Sequence, residues 1–127
     1  LGYIANRKHV ATYLASADIA IAPGPLETFC LSALESLASG TPVVASKSSA
    51  VGEILNVTNL DAAGAVADDD GRAFAIAINN LLRDSSLRSK ARRQADKFSW
   101  GKTVEQMLAL HGDRSTATNT KRRLKVA

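Results

Sequence analysis

Cysteine is nearly absent from this chain. The single thiol, Cys30, rules out an internal disulfide, in agreement with a reducing compartment. No apolar run approaches the roughly 18–20 residues needed to cross a bilayer. No signal peptide is visible. Histidine occurs only as His9 and His111, at no spacing that a zinc site uses. A charge excess is also missing from most of the chain. Residues 113–127 carry five of the 16 basic residues (Arg114, Lys121, Arg122, Arg123 and Lys125) and one of the 12 acids, Asp113. Residues 1–112 therefore hold 11 of each sign, and the net charge of +4 belongs to the tail. That removes the case for a nucleic-acid-binding body and leaves only a tail-borne, salt-dependent contact as a rival.

What is present suits one compact α/β domain. The sequence is 46% hydrophobic over 127 residues, enough for a real core. It opens on Leu1 without an initiator Met, which reads as a piece of a longer protein. The pattern predicts helices over Asn6–Ala15, with Asn6 as N-cap, and over Phe29–Ser39, stopped by Gly40. A short helix is expected over Val51–Leu55, and longer ones over Arg72–Arg83, Ser86–Lys97 and Trp100–His111. Apolar runs without alternation, Ile19–Ala22 and Pro42–Ala45, predict strands covered on both faces, and Ala63–Ala67 a third. The Asp68-Asp69-Asp70 run is expected to cap the helix that follows. Arg88, Lys90, Arg92, Arg93 and Lys97 predict a solvated basic helix face, with an anionic lipid or a further domain as the other reading. Residues 113–127 lack periodicity and are expected to be a disordered basic tail behind a domain of residues 1–112. Strand–helix alternation predicts a Rossmann-like, three-layer parallel sheet.

The most telling stretch is Gly24-Pro25-Leu26-Glu27-Thr28-Phe29-Cys30-Leu31-Ser32-Ala33-Leu34-Glu35. A strand ends in a Pro/Gly loop, a carboxylate follows, and a helix starts. Ligands of α/β proteins gather where strand ends meet helix starts. The free amides and dipole of a helix start suit a diphosphate. Glu27 and Glu35 then flank that anion, and carboxylates accept paired hydrogen bonds from vicinal hydroxyls. Such a seat fits a nucleotide sugar. The plainer alternatives are a loop acid for Glu27 and a solvated helix acid for Glu35. A glycosidase carboxylate pair fits the strand–loop–helix setting poorly. Cys30 is expected to pack rather than to act as a nucleophile. Lys47 is expected in a solvated loop, and Glu53 divides evenly between helix capping and the site.

From Ala17-Asp18-Ile19 through Glu27-x-Phe29-x-Leu31-x-x-Leu34-Glu35-Ser36-Leu37-Ala38-x-Gly40-Thr41-Pro42-Val43-Val44-Ala45-Ser46 to Glu53-Ile54, the chain resembles the carboxy-terminal domain of glycosyltransferase family 4. The likeness runs from about Gly2 to about His111 and includes Phe98-Ser99-Trp100. Its wording is closest to actinobacterial GDP-mannose-dependent mannosyltransferases. The resemblance implies one half of a GT-B fold and a retaining hexosyltransferase that moves mannose or glucose from a nucleoside diphosphate to an acceptor hydroxyl. It implies Glu27 as the catalytic residue on the donor sugar. Thr28 and the backbone amides of Phe29, Cys30 and Leu31 would take the donor sugar and phosphates, and Glu35 the ribose. It implies no metal and no cofactor, with GDP-mannose favoured over UDP-glucose as substrate. The acceptor, a lipid or glycan, would sit on an amino-terminal domain outside this chain. The expected location is the cytoplasm, with peripheral contact at the inner face of the plasma membrane left open. Without the acceptor domain and the family's upstream Arg and Lys, the chain alone is expected to be inactive.

Two departures stand out. Cys30 replaces a frequent family glycine, and Ser49-Ala50 replaces a frequent Gly-Gly pair. A non-enzymatic nucleotide-binding or regulatory α/β module remains the alternative, since fold does not fix function.

Overall fold

The computed structural model describes residues 2–123. Leu1 and residues 124–127, the end of the expected basic tail, lie outside the described residues. Helix α1 (Arg7–Ser16) leads into strand β1 (Ala20–Ala22), α2 (Leu31–Ala38), β2 (Val43–Ser46), α3 (Val51–Leu55) and β3 (Gly64–Ala67). Then come α4 (Gly71–Leu81), α5 (Leu87–Ala95) and α6 (Trp100–Arg123). The sheet order is β1-β2-β3, and both pairings are parallel. The expected Rossmann-like α/β class is therefore the observed one.

The start signals act where the sequence placed them. Asn6 Oδ1 accepts from the Lys8 amide at 2.9 Å and caps α1. Asp70 Oδ1 accepts from the Arg72 and Ala73 amides, both at 2.9 Å, and caps α4. Its two neighbours do not cap. Asp68 pairs with Lys47 at 3.3 Å, and Asp69 reaches Ser46 and Ser48. A helix start has room for one capping side chain, so the other two acids turn to the strand ends beside them.

The core lies around β2. All four of its residues are buried, as a central parallel strand requires. Leu37 of α2 and Val51 and Leu55 of α3 are wholly buried as well. β1 departs from the expectation of two covered faces, because Ile21 is 56% exposed. Among the described residues, β1 is an edge strand that pairs with β2 alone. Gly64 is required where β3 meets β2. A Cβ there would lie 2.0 Å from the Val43 carbonyl oxygen.

α5 corrects the picture of a merely solvated basic face. Arg88 donates to the Ala15 and Ala17 carbonyls at the end of α1, at 3.0 and 2.7 Å. Arg92 donates to the Ala38 carbonyl at the end of α2. Gln94, 5% exposed, donates from Nε2 to the Ile54 carbonyl at the end of α3, at 2.8 Å. Helix ends leave carbonyls without intrahelical donors, and cations are favoured there. One helix thus satisfies the carboxyl ends of three others.

Chain contacts divide after Asp96. In the second unit Ser99 holds the start of α6, with its carbonyl taking the Thr103 amide at 3.0 Å. α6 runs on to Arg123, past the His111 end read from the sequence, with no proline to stop it. Among the described residues, no helix is long and apolar enough to cross a membrane.

Candidate functional site

The loop between β1 and α2 leaves the carboxyl edge of the sheet at Pro23 and turns at Pro25 and Leu26. The Glu27 side chain folds back over Gly24, so that a Cβ there would lie 3.2 Å from Glu27 Cγ and 3.4 Å from Oε1. Glu27 and Thr28 are exposed. α2 begins at Leu31, two residues later than the sequence predicts, so Phe29 and Cys30 belong to the loop. The cause is Cys30, whose φ of 55° is left-handed and incompatible with a helical turn. Its thiol lies 3.3 Å from the Ser32 hydroxyl. Ala33 and Leu37 form the buried stripe of α2, while Phe29 stays 42% exposed.

The Cys30 carbonyl accepts from the amides of Ala33 (3.1 Å) and Leu34 (3.3 Å). The Leu31 and Ser32 amides have no acceptor among the described residues. They form the positive head of α2 at the strand end, where an anion is stabilised. Glu35 lies one turn beyond Leu31 on the same helical face. Its carboxylate meets Arg7 at 3.7 Å; the Arg7 side chain is 94% exposed, so this ion pair contributes little. Together with Arg7, Val10, Leu14, Ala38 and Ser39, Glu35 lines a groove of about 440 Å³. Glu27 does not line that groove. The two carboxylates therefore stand before and after the helix head, each with its own surroundings.

A second loop supports the first. The Ala50 amide donates to the Glu27 carbonyl at 3.0 Å. Ala50 belongs to the loop between β2 and α3, which is held by hydroxyls. Ser46, fully buried, donates from Oγ to Asp69, and Ser48 Oγ donates to the other Asp69 oxygen at 2.7 Å. The Ser46 hydroxyl, followed by that of Ser48, keeps the Asp69 carboxyl below its ordinary value. Lys47 pairs with Asp68 and sits with Glu53, Ser49 and Ala50 around a depression of about 370 Å³. Among the described residues, no three His, Cys, Asp or Glu side chains gather closely enough to hold a metal ion.

The sequence did not signal Asp69, Ser46 and Ser48 as a unit, nor Arg7 beside Glu35. Residues of the first set come from two strand ends that only pairing of β2 with β3 brings together.

A parallel sheet with acid-bearing loops at its strand ends defines a Rossmann-like α/β domain. The family model for glycosyl transferases group 1 matches residues 1–98, and the chain belongs to that family. It is 44% identical over 119 residues to the GDP-mannose-dependent alpha-(1-6)-phosphatidylinositol dimannoside mannosyltransferase of Mycobacterium tuberculosis. That match covers 92% of this chain and 30% of the relative. It is 38% identical over 103 residues to the D-inositol 3-phosphate glycosyltransferase of Salinispora arenicola, covering 77% of this chain and 22% of the relative. Among solved structures, the sucrose-phosphate synthase of Thermosynechococcus elongatus superposes with a TM-score of 0.75 at 28% identity. It covers 92% of this chain and 30% of that one. The chain thus spans less than a third of the length of each of these relatives.

Proposed function

We propose that this chain is the donor-binding half of a retaining GT-B hexosyltransferase. It takes a nucleoside diphosphate sugar, GDP-mannose in preference to UDP-glucose, and passes the hexose to an acceptor hydroxyl. The observation that carries this reading is the open pair of amides, Leu31 and Ser32, between Glu27 and Glu35. The printed names of the relatives support the choice of donor.

The chemistry follows from charge. As the glycosidic bond breaks, negative charge grows on the departing diphosphate. Fixed amides at a helix head stabilise that charge more in the transition state than in the ground state. Glu27 binds hydroxyls of the donor sugar and is the catalytic residue, with Thr28 beside it. The loop amides of Phe29 and Cys30 add to those at the helix head. Glu35 takes the ribose hydroxyls, which displace Arg7 from its weak ion pair. The acceptor, a lipid or glycan, is held by a separate domain. The protein works in the cytoplasm.

Calorimetric titration of the chain with GDP-mannose and with UDP-glucose tests the reading. GDP-mannose should bind more tightly, and Glu35→Gln should lose about tenfold in affinity, the worth of a hydrogen bond to a charged group. Failure of the wild-type chain to bind either donor would end this reading.

A further inference from the structure

The β1–α2 and β2–α3 loops meet at one backbone hydrogen bond, from the Ala50 amide to the Glu27 carbonyl. Residues 25–28 are exposed. What fixes Ala50 lies on the other side. The Ser48 amide donates to Ser46 Oγ at 3.1 Å. The Ser49 hydroxyl and amide reach the Ser46 carbonyl at 2.8 and 3.2 Å. Asp69 closes this loop by accepting from Ser46 Oγ and Ser48 Oγ with its two oxygens. A buried hydroxyl such as that of Ser46 costs stability when its acceptor is removed, so Asp69 is not a dispensable surface acid.

We propose that Asp69 is a positioning residue for the donor site. Through Ser46 and Ser48 it sets the β2–α3 loop, and through the Ala50 amide it sets Glu27. The proposal rests on the donor reading above. The residues beside Asp69 provide matched controls, since the Asp68 side chain pairs with Lys47 and Asp70 caps α4.

Two measurements on the whole chain decide it: amide hydrogen exchange at Ala50 against Val44 in the core of β2, and the dissociation constant for GDP-mannose. Asp69→Ala should speed exchange at Ala50 about tenfold more than at Val44 and weaken GDP-mannose about tenfold. Asp69→Asn, which keeps one acceptor oxygen, should recover part of both effects. Asp68→Ala should show neither. If Asp69→Ala does not fold, Ser48→Ala removes only the exposed arm and should move Ala50 exchange in the same direction. Equal acceleration at Ala50 and Val44 overturns the proposal. So does unchanged affinity in an Asp69→Ala chain whose parent binds GDP-mannose. A parent chain that fails to bind overturns the donor reading and this role with it. A surviving exchange difference at Ala50 would then show that the donor reading, not the loop linkage, had failed.

Discussion

The amide of Ala50 and the carbonyl of Glu27 join the two loops that leave the carboxyl ends of neighbouring strands. Ala50 has a φ of −72°, which proline adopts without strain. Ala50→Pro therefore fits the local φ but removes the donor and sets the ring Cδ against the Glu27 carbonyl, so the two loops must part. The expected cost in stability exceeds about 1 kcal/mol, because that clash adds to the loss of one net hydrogen bond. GDP-mannose affinity should fall several-fold, because the Glu27 loop loses its brace. Calorimetric titration beside a urea melt separates the two effects, and unaltered affinity would mean that the brace is irrelevant to binding.

Gly64 tolerates no side chain. A Cβ would lie 2.0 Å from the carbonyl oxygen of Val43 and 3.1 Å from its nitrogen, both backbone atoms that cannot swing aside. Gly64→Ala should cost about 3 kcal/mol or more, at the upper end of overpacking effects. For a domain of this size that is much of the available stability. Denaturant midpoints of the two proteins give the answer.

The contacts of α5 differ in worth by their burial. Gln94→Leu leaves the Ile54 carbonyl unpaired in a dry setting, and about 2 kcal/mol should be lost. Arg92→Met leaves the Ala38 carbonyl facing water, because Ala38 is exposed. Its loss should stay near 1 kcal/mol. Thermal melts of both variants test the ranking, and a larger loss for Arg92→Met would reverse it.

Acid should loosen the start of α5. The Ser86 hydroxyl at 2.6 Å, Lys90 at 3.0 Å and the Ser86 amide at 2.8 Å lower the Asp84 pKa from 3.8 to about 2. A carboxyl held lower in the folded state than in the unfolded chain adds stability that is fully present above pH 3.8. That contribution fades as the pH falls towards about 2. Asp84→Asn should flatten this part of the stability profile and leave the neutral-pH slope unchanged. Urea midpoints at several pH values across the window provide the check.

Much of the fold was legible because its signals are local. Asn6 and Asp70 announce their helices by side chains that reach only two or three residues ahead. The run Val43-Val44-Ala45 reads as a buried strand and is one. The helix head was less legible, since nothing local says that Cys30 will take a left-handed φ and delay α2 to Leu31. The roles of Arg88, Arg92 and Gln94 were invisible, because their acceptors lie far away in the sequence. Glu27 and Glu35 could be named from their spacing with the start of a helix between them. That they face different surroundings, Gly24 for one and the groove beside Arg7 for the other, could not.

The amino-acid order by itself determined the alternation of strands and helices, the place of the acid pair and the kinship it reveals. Those features depend on periodicity, caps and motif spacing, which act within a few residues. Only the tertiary structure decided that Asp69 secures the loop behind Glu27 and that α5 clamps three helix ends. Hydrogen-bond partners so far apart in the chain become neighbours only when parallel pairing and helix packing bring them within about 3 Å, the range in which a hydrogen bond forms.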